Sequence, residues 1–558
     1  MDDDGVHWDY SKNSNDMFAG GSMLVSSKVG LAVGILTVVV AIVCGWWWHY
    51  VLLKESKART SSNKKAPLAP GSLGLPLLGE TLEFLRLTQA NRSAEFLNRR
   101  VAKYGQVFKT HLLFSSAVSV GAPDGNKFLF ANENKLVQKS WPSHVKKLFG
   151  PNSLMNKTGE QHKHARRIFT SFFGPDGLQH FVPRMDKMVR AHFLQFWEGK
   201  DEIMAFAIIK QFTFALAADL FFSITEGPQF QSLERDLFTL SQGIAQLPLD
   251  FPGTSYHNAK FSRNRFLCTL DTIICQRRKD MEEGKVSSQH DLLSVMISTL
   301  DQDQDQLATN EYIKDNILMF LFAGHDTSVS TLAGVLKYLF LNPQCLEQVI
   351  KEQKEIAIEK AGSSLNWDDT RKMKYTWQVM QECLRLQPAV EVGFRECIKE
   401  FEYEGFTIPK GWKLFWHLGH SYMSPQFFPN PERFDPDQFE GLGLPPFTYM
   451  PFGGGPQICL GMEFACTKMV VYLHHLVLTY EWSMVNPNEQ VVQNPLPVFQ
   501  KGLPLKISLE CTFSFNLRIL QPKCSGVVSL QCYLLLLELN RNKFLSDNVH
   551  WVSQITIC

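Results

Sequence analysis

The chain has 558 residues, 45% hydrophobic and 12% aromatic, enough apolar side chain for an extensive core and too much for a disordered chain. A net charge of +1 and the lack of any long basic run argue against a nucleic-acid partner. Twelve irregularly spaced cysteines without a CxxC argue against a secreted disulfide framework or structural zinc, and most read as small buried hydrophobes.

In chain order, the first expected element is a membrane span. Residues 29–53 carry no charge beyond a titratable His49, and the run exceeds the roughly 20 residues that cross a bilayer. Trp46, Trp47, Trp48 and Tyr50 near its C-terminal end suit a headgroup belt. Lys54, Lys57, Arg59, Lys64 and Lys65 follow the span, whereas Asp2, Asp3, Asp4, Asp9 and Asp16 precede it. This asymmetry predicts a short lumenal N-terminus at 1–28, a transmembrane anchor at 29–53 in the lipid membrane, and a cytosolic body. A cleaved signal peptide is the competing reading, but the apolar run is too long and no small-residue cleavage site follows it. The sequons at Asn91 and Asn156 would then face the cytosol and stay unmodified.

Residues 54–80 form a basic stub and a Pro/Gly hinge. Pro67, Pro70 and Pro76 lack the amide donor a helix needs, so this segment should be stiff and non-helical. Residues 81–510 show no linker or repeat and read as one domain. Met373, Trp377, Met380 and Leu384 recur on one helical face. Strand-like runs bounded by turn residues occupy 106–121, 401–409 and 495–509. The fold class is therefore mainly α with small β-sheets. Residues 511–558 have four of the twelve cysteines and little amphipathic order, which suggests an atypical, disordered tail or a small partner-binding extension.

The strongest chemical signal is PFGGGPQICLG, residues 451–461. A metal-bound thiolate needs backbone amides nearby to tune its charge. Gly453, Gly454 and Gly455 let the backbone turn tightly near Cys459, and Gly461 is expected to permit close approach on the far side. Residues 462–479 look helical and would bring a positive helix end towards the sulfur. This segment resembles the haem loop of the cytochrome P-450 superfamily, whose pattern is Phe-Gly-x-Gly-x-Arg-x-Cys-x-Gly. Phe452, Gly453, Gly455, Cys459 and Gly461 match it, and Gln457 stands where the family has a propionate-pairing arginine. Glutamine donates a neutral bond, about half as strong as a charge-assisted one.

Three further motifs occur in the family's order. In ILMFLFAGHDTS, residues 317–328, Thr327 can bond back to the carbonyl of Ala323 and open the helix. By resemblance, Asp326 and Thr327 form the acid–alcohol proton relay, although a Gly and a Thr also serve plain helix crossing. In QECLRLQP, Glu382 and Arg385 share a helix face, and the resemblance adds Arg433 as the third member of a buried structural set. In GEQHKHARRIF, His162 and Arg166 lie four apart, and with Arg395 they resemble haem-propionate donors; an exposed basic helix is the plain alternative.

The resemblance covers residues 66–510. It implies the cytochrome P-450 fold with an N-terminal transmembrane helix, haem b (iron protoporphyrin IX) as cofactor and Cys459 as iron ligand. No GxGxxG follows a strand, so electrons should come from a separate NADPH-dependent reductase on the endoplasmic reticulum, with O2 as co-substrate. The hinge and residues 247–263 look like the plant clan acting on triterpenoids, diterpenoids and sterol-like hormones. The expected pocket, lined by a 136–150 loop, Met319, Phe320, Ala323, Val390 to Gly393 and Leu496 to Phe499, suits a bulky apolar small molecule. A reductase-independent enzyme that rearranges peroxides, and a non-catalytic, haem-poor lipophile binder, are the rival readings. From the sequence alone, Gln457→Arg is expected to tighten haem retention, unless His162, Arg166 and Arg395 already suffice.

Overall fold

The computed structural model describes residues 66–509 apart from 76–77, 245, 247, 303–308, 442–443 and 495, together with Ala41 and Gly45. Apart from those two positions, the expected lumenal segment, anchor and tail lie outside the described residues. The helices that bear on the site are α1 (Ala122–Ala131), α2 (Gly159–Phe173), α3 (Pro175–Phe196), α4 (Ala205–Phe222), α5 (Gly227–Ile244), α6 (Ser255–Glu282), α7 (Asn310–Leu341), α8 (Lys374–Leu386) and α9 (Met462–Thr479). The strands are β1 (Phe108–Leu112), β2 (Ser115–Ser119), β3 (Val137–Lys139), β4 (Glu202–Met204), β5 (Val392–Cys397), β6 (Phe401–Tyr403), β7 (Phe406–Ile408), β8 (Lys413–His417), β9 (Tyr480–Met484), β10 (Val491–Gln493), β11 (Pro497–Phe499) and β12 (Pro504–Leu509).

Helix α7 organises the core. Thr309 caps it by accepting from the Tyr312 amide, and its 32 residues are apolar on nearly every face, so it must be enclosed by other elements. Helices α2, α3, α4 and α9 enclose it in one hydrophobic cluster containing Phe169, Val189, Phe212, Leu318, Leu332 and Leu473. Among the described residues α4 alone is long and apolar enough to cross a membrane; 67% of that window is buried inside the protein, which makes it a core helix. The buried Cys345, Cys383 and Cys397 match the small-hydrophobe reading, whereas Cys268 and Cys275 are exposed.

A second cluster lies under the largest sheet, whose order is β1-β2-β8-β5-β3. Strand β2 runs parallel to β8, and the other pairs in that sheet are antiparallel. The described part of the hinge is non-helical, as Pro67 and Pro70 require, and it is docked on strands. The Lys109 amide donates to Pro70 O at 2.7 Å, and the Thr407 amide to Pro67 O at 2.8 Å. The segment expected as a 136–150 loop instead contains β3 and the helix Ser143–Phe149.

Glu382 and Arg385 on α8 are 0% and 1% exposed and pair through two 2.7 Å bonds. Arg433 does not complete this set as expected. Its side chain is exposed, and only its carbonyl accepts from Arg385. The Glu382 oxygens are already taken by Arg385, by the Asp435 amide at 2.9 Å and by Gln438 at 2.7 Å. With those acceptors filled, a second guanidinium gains more from water than from burial. Accordingly, Glu382→Ala leaves a buried cation unpaired and should cost about 3–5 kcal/mol, seen as a large fall in thermal midpoint. Arg433→Ala should leave the midpoint nearly unchanged.

Candidate active site

The cysteine loop is held from below by the buried ion pair. Arg385 donates to Tyr422 O at 2.8 Å, the Tyr422 hydroxyl accepts from the Met450 amide at 2.9 Å, and the Gly453 amide donates to Met450 O at 3.0 Å. The Cys459 amide closes the loop on Phe452 O at 2.9 Å. Gly453 and Gly455 have φ of 74° and 67°, the left-handed region that favours glycine. A Cβ at Gly455 would also lie 2.9 Å from Phe130 on α1, so the loop is pressed against that helix. Gly461 differs from expectation. A Cβ there would meet no described atom within 4 Å, and the contribution of this residue is its backbone amide, which favours negative charge on the Cys459 sulfur.

Cys459 is accessible to solvent, yet protein surrounds it on nearly every side, so the thiol opens on an internal hollow. Ala323 is likewise exposed although it sits in mid-α7 between the half-buried Phe322 and Gly324. Burial pushes the Cys459 thiol up, against the Gly461 amide and the charges of Arg166, Lys139 and Lys468. A free thiolate is therefore disfavoured here, whereas a bound metal ion deprotonates a coordinating thiol outright. An accessible interior sulfur ringed by cations fits a metal held in an anionic organic frame.

Cations converge beside the loop. Arg166 on α2 donates to Ile458 O at 2.7 Å. His162, one turn earlier, is buried and pushed down to about 4 by desolvation, Lys139 and Arg166, so it is a neutral donor near pH 7. Arg395 on β5 pairs with Glu133 through Nε. Lys139, unremarked in the sequence, stands opposite Arg395 on β3 and donates to Gln457 Oε1 at 3.3 Å.

On α7, the Thr327 hydroxyl donates to Ala323 O at 2.8 Å, the expected back-bond. Asp326 lies 3.4 Å from Lys210 on α4 and 3.5 Å from Nε2 of His325, whose Nδ1 is 2.7 Å from the Thr213 hydroxyl. Burial holds His325 near 4, hence neutral, and leaves Lys210 as the charged partner of Asp326. Lys210 is part exposed and connects Asp326 to solvent. Phe320, expected in the pocket, is instead packed in the core against Phe169 and Phe173. Sequence reading also missed Lys468 on α9. It is buried, its ammonium donates to Gly324 O, and burial pushes it down to about 7. The single Lys or Arg on a mostly apolar helix was the available signal.

The model of the family described as Cytochrome P450 matches residues 69–508. A beta-amyrin 28-monooxygenase of Vitis vinifera is 42% identical over 443 residues, covering 79% of this chain and 92% of that protein. Cytochrome P450 716A1 of Arabidopsis thaliana is 39% identical over 446 residues, with 79% and 92% covered. The solved structure of a retinoic acid bound cyanobacterial CYP120A1 is 32% identical with a TM-score of 0.73, covering 80% of this chain and 100% of that one.

The Lys468 bond ties α9 to mid-α7. Lys468→Met should remove it and speed amide hydrogen exchange across residues 323–329 roughly tenfold, the equivalent of one typical net hydrogen bond. Lys468→Gln keeps a donor and should exchange close to the parent rate.

Proposed function

Because the chain belongs to the cytochrome P450 family, and is thus a haem-binding oxidoreductase that uses O2 and a redox partner, we propose that it oxidises beta-amyrin or a similarly bulky apolar triterpenoid. The observation that carries the catalytic part is the accessible Cys459 thiol inside a hollow bounded by cations. The substrate class rests on the 42% identity to a beta-amyrin 28-monooxygenase over nearly its whole length.

In this reading Cys459 is the iron ligand, with Phe452, Gly453 and Gly461 framing it. Haem supplies O2 activation when bound, and the thiolate ligand favours O–O cleavage. The Gly461 amide lowers the charge density on the sulfur. Arg166, Arg395, His162 and Gln457 would hold the carboxylates of the cofactor. The Thr327 hydroxyl bonds back to the Ala323 carbonyl, a contact that tends to bend a helix and that holds a hydroxyl near the exposed Ala323. Asp326 takes protons from solvent through Lys210 and passes them towards Thr327. The AGHDTS segment favours this over peroxide rearrangement, which needs no such relay.

The electron donor is proposed to be an NADPH-dependent reductase, with both proteins on the endoplasmic reticulum membrane. Residues 29–53 would be the single anchor. Leu75, Leu78, Leu82 and Phe114, in the first part of the described body, are exposed apolar side chains of the kind that suits a lipid surface.

The ferrous protein under carbon monoxide should show a Soret band at about 450 nm, and its absence from folded protein would sink the haem-thiolate reading. With NADPH, reductase and beta-amyrin, mass spectrometry should detect an oxygenated product. Thr327→Ala should keep the Soret band but lower product per NADPH by about tenfold or more.

A further inference from the structure

The glutamine at 457 removes a charge from the cysteine loop, and the structure brings a cation to that glutamine. Lys139 donates from Nζ to Oε1 of Gln457 at 3.3 Å. An ammonium only donates, so this contact fixes which end of the amide faces Lys139. The other end, Nε2, is buried and has no partner. It is a donor waiting for an acceptor, and a protein interior rarely tolerates that without a ligand.

The surroundings of Lys139 point to an anion. It lies directly opposite Arg395 in the β3–β5 pairing, and like charges so placed destabilise a sheet. Glu133 offsets only part of this. One oxygen takes Arg395 Nε, and the other accepts the main-chain amide of Lys139, so the ammonium itself gains no direct bond from it. Arg166 adds a third cation, resting on a carbonyl. Three cations against one carboxylate leave two positive charges uncompensated, with Lys139 and Arg166 part-buried and Arg395 buried. Such burial is costly unless a partner of opposite charge arrives. Lys139 nevertheless remains mostly charged near neutrality, since burial and the other cations bring it down only to about 8.

We propose that Lys139 supplies from strand β3 the positive charge that position 457 lacks, and that its ammonium and the free Gln457 amide together hold a carboxylate of the haem. The charge has moved from the cysteine loop to the neighbouring sheet edge. This rests on the haem-thiolate reading, but it assigns a binding residue outside the motifs that define that reading. It also changes the expectation for Gln457→Arg. A guanidinium there would stand beside the Lys139 ammonium, and repulsion would cancel much of its benefit.

Haem transfer from the purified holoprotein to excess apomyoglobin tests this. Lys139→Met should lose haem roughly tenfold faster than the parent, the loss of one charge-assisted bond, and Lys139→Arg should stay close to the parent. Gln457→Arg should slow haem loss little with Lys139 present, but should restore near-parental retention in the Lys139→Met background. Equal haem loss in Lys139→Met and parent would overturn the proposal. So would an equal benefit of Gln457→Arg in both backgrounds, because the two positions would then act independently. Should Lys139→Met fold poorly, the double variant decides: recovered folding and haem support the exchange of charge, and a persisting defect overturns it. A parent without its band at about 450 nm would instead sink the haem-thiolate reading itself.

Discussion

A sulfur that is to carry negative charge inside a protein must be given back what water would have supplied, namely hydrogen-bond donors and nearby positive charge. At Cys459 these come from different parts of the chain. The Gly461 amide is local, whereas Arg166, Lys139 and Lys468 arrive on α2, β3 and α9. Even together they leave the thiol pushed up, so the site is incomplete without a metal cation. The architecture follows from this need. The loop has to be rigid enough to aim one sulfur, and the cations must be held near it without collapsing onto it.

Rigidity is borrowed from a pair with no access to the hollow. Glu382 and Arg385 have every acceptor and most donors engaged, and Arg385 spends its outer face on the carbonyls of Tyr422, Pro431 and Arg433. Those carbonyls belong to the end of the short helix Gly419–Tyr422 and to the irregular chain that follows it towards the loop. Irregular backbone in a core is a liability because its polar groups have no ladder or helix to satisfy them. A guanidinium with five donors can satisfy several at once, which a lysine point charge cannot do. The Tyr422 hydroxyl then carries the order forward to Met450.

The contiguous parts of this were legible in the sequence. The cysteine loop, the Thr327 back-bond and the helix after Cys459 depend on residues a few positions apart, where glycine freedom and helical spacing decide the outcome. The strands expected within 106–121, 401–409 and 495–509 formed for the same reason. What escaped was set by pairing between distant segments. Arg433 looked equivalent to Arg385 in charge, but only the fold reveals that Gln438 and the Asp435 amide reach Glu382 first. Lys139 gained its meaning from the β3–β5 register, and a shift of one residue would have sent its side chain to the other face. Gly461 was judged by its missing Cβ, whereas its amide is what reaches the sulfur.

Two lysines grip α7 at neighbouring points, and their surroundings differ in a way that matters for proton traffic. Lys468 meets Gly324 O from the dry side, buried and without a carboxylate bonded to it. Lys210 meets Asp326 at the wet side, where it is 27% exposed and lies over the Phe238 ring. A proton carrier must exchange with water, so the proposed relay can be fed through Lys210 and not through Lys468. A mechanical tie has the opposite requirement, because water competing for Gly324 O would weaken it. The dry lysine therefore stiffens the helix on the side of Cys459, and the wet one leaves Asp326 free to exchange.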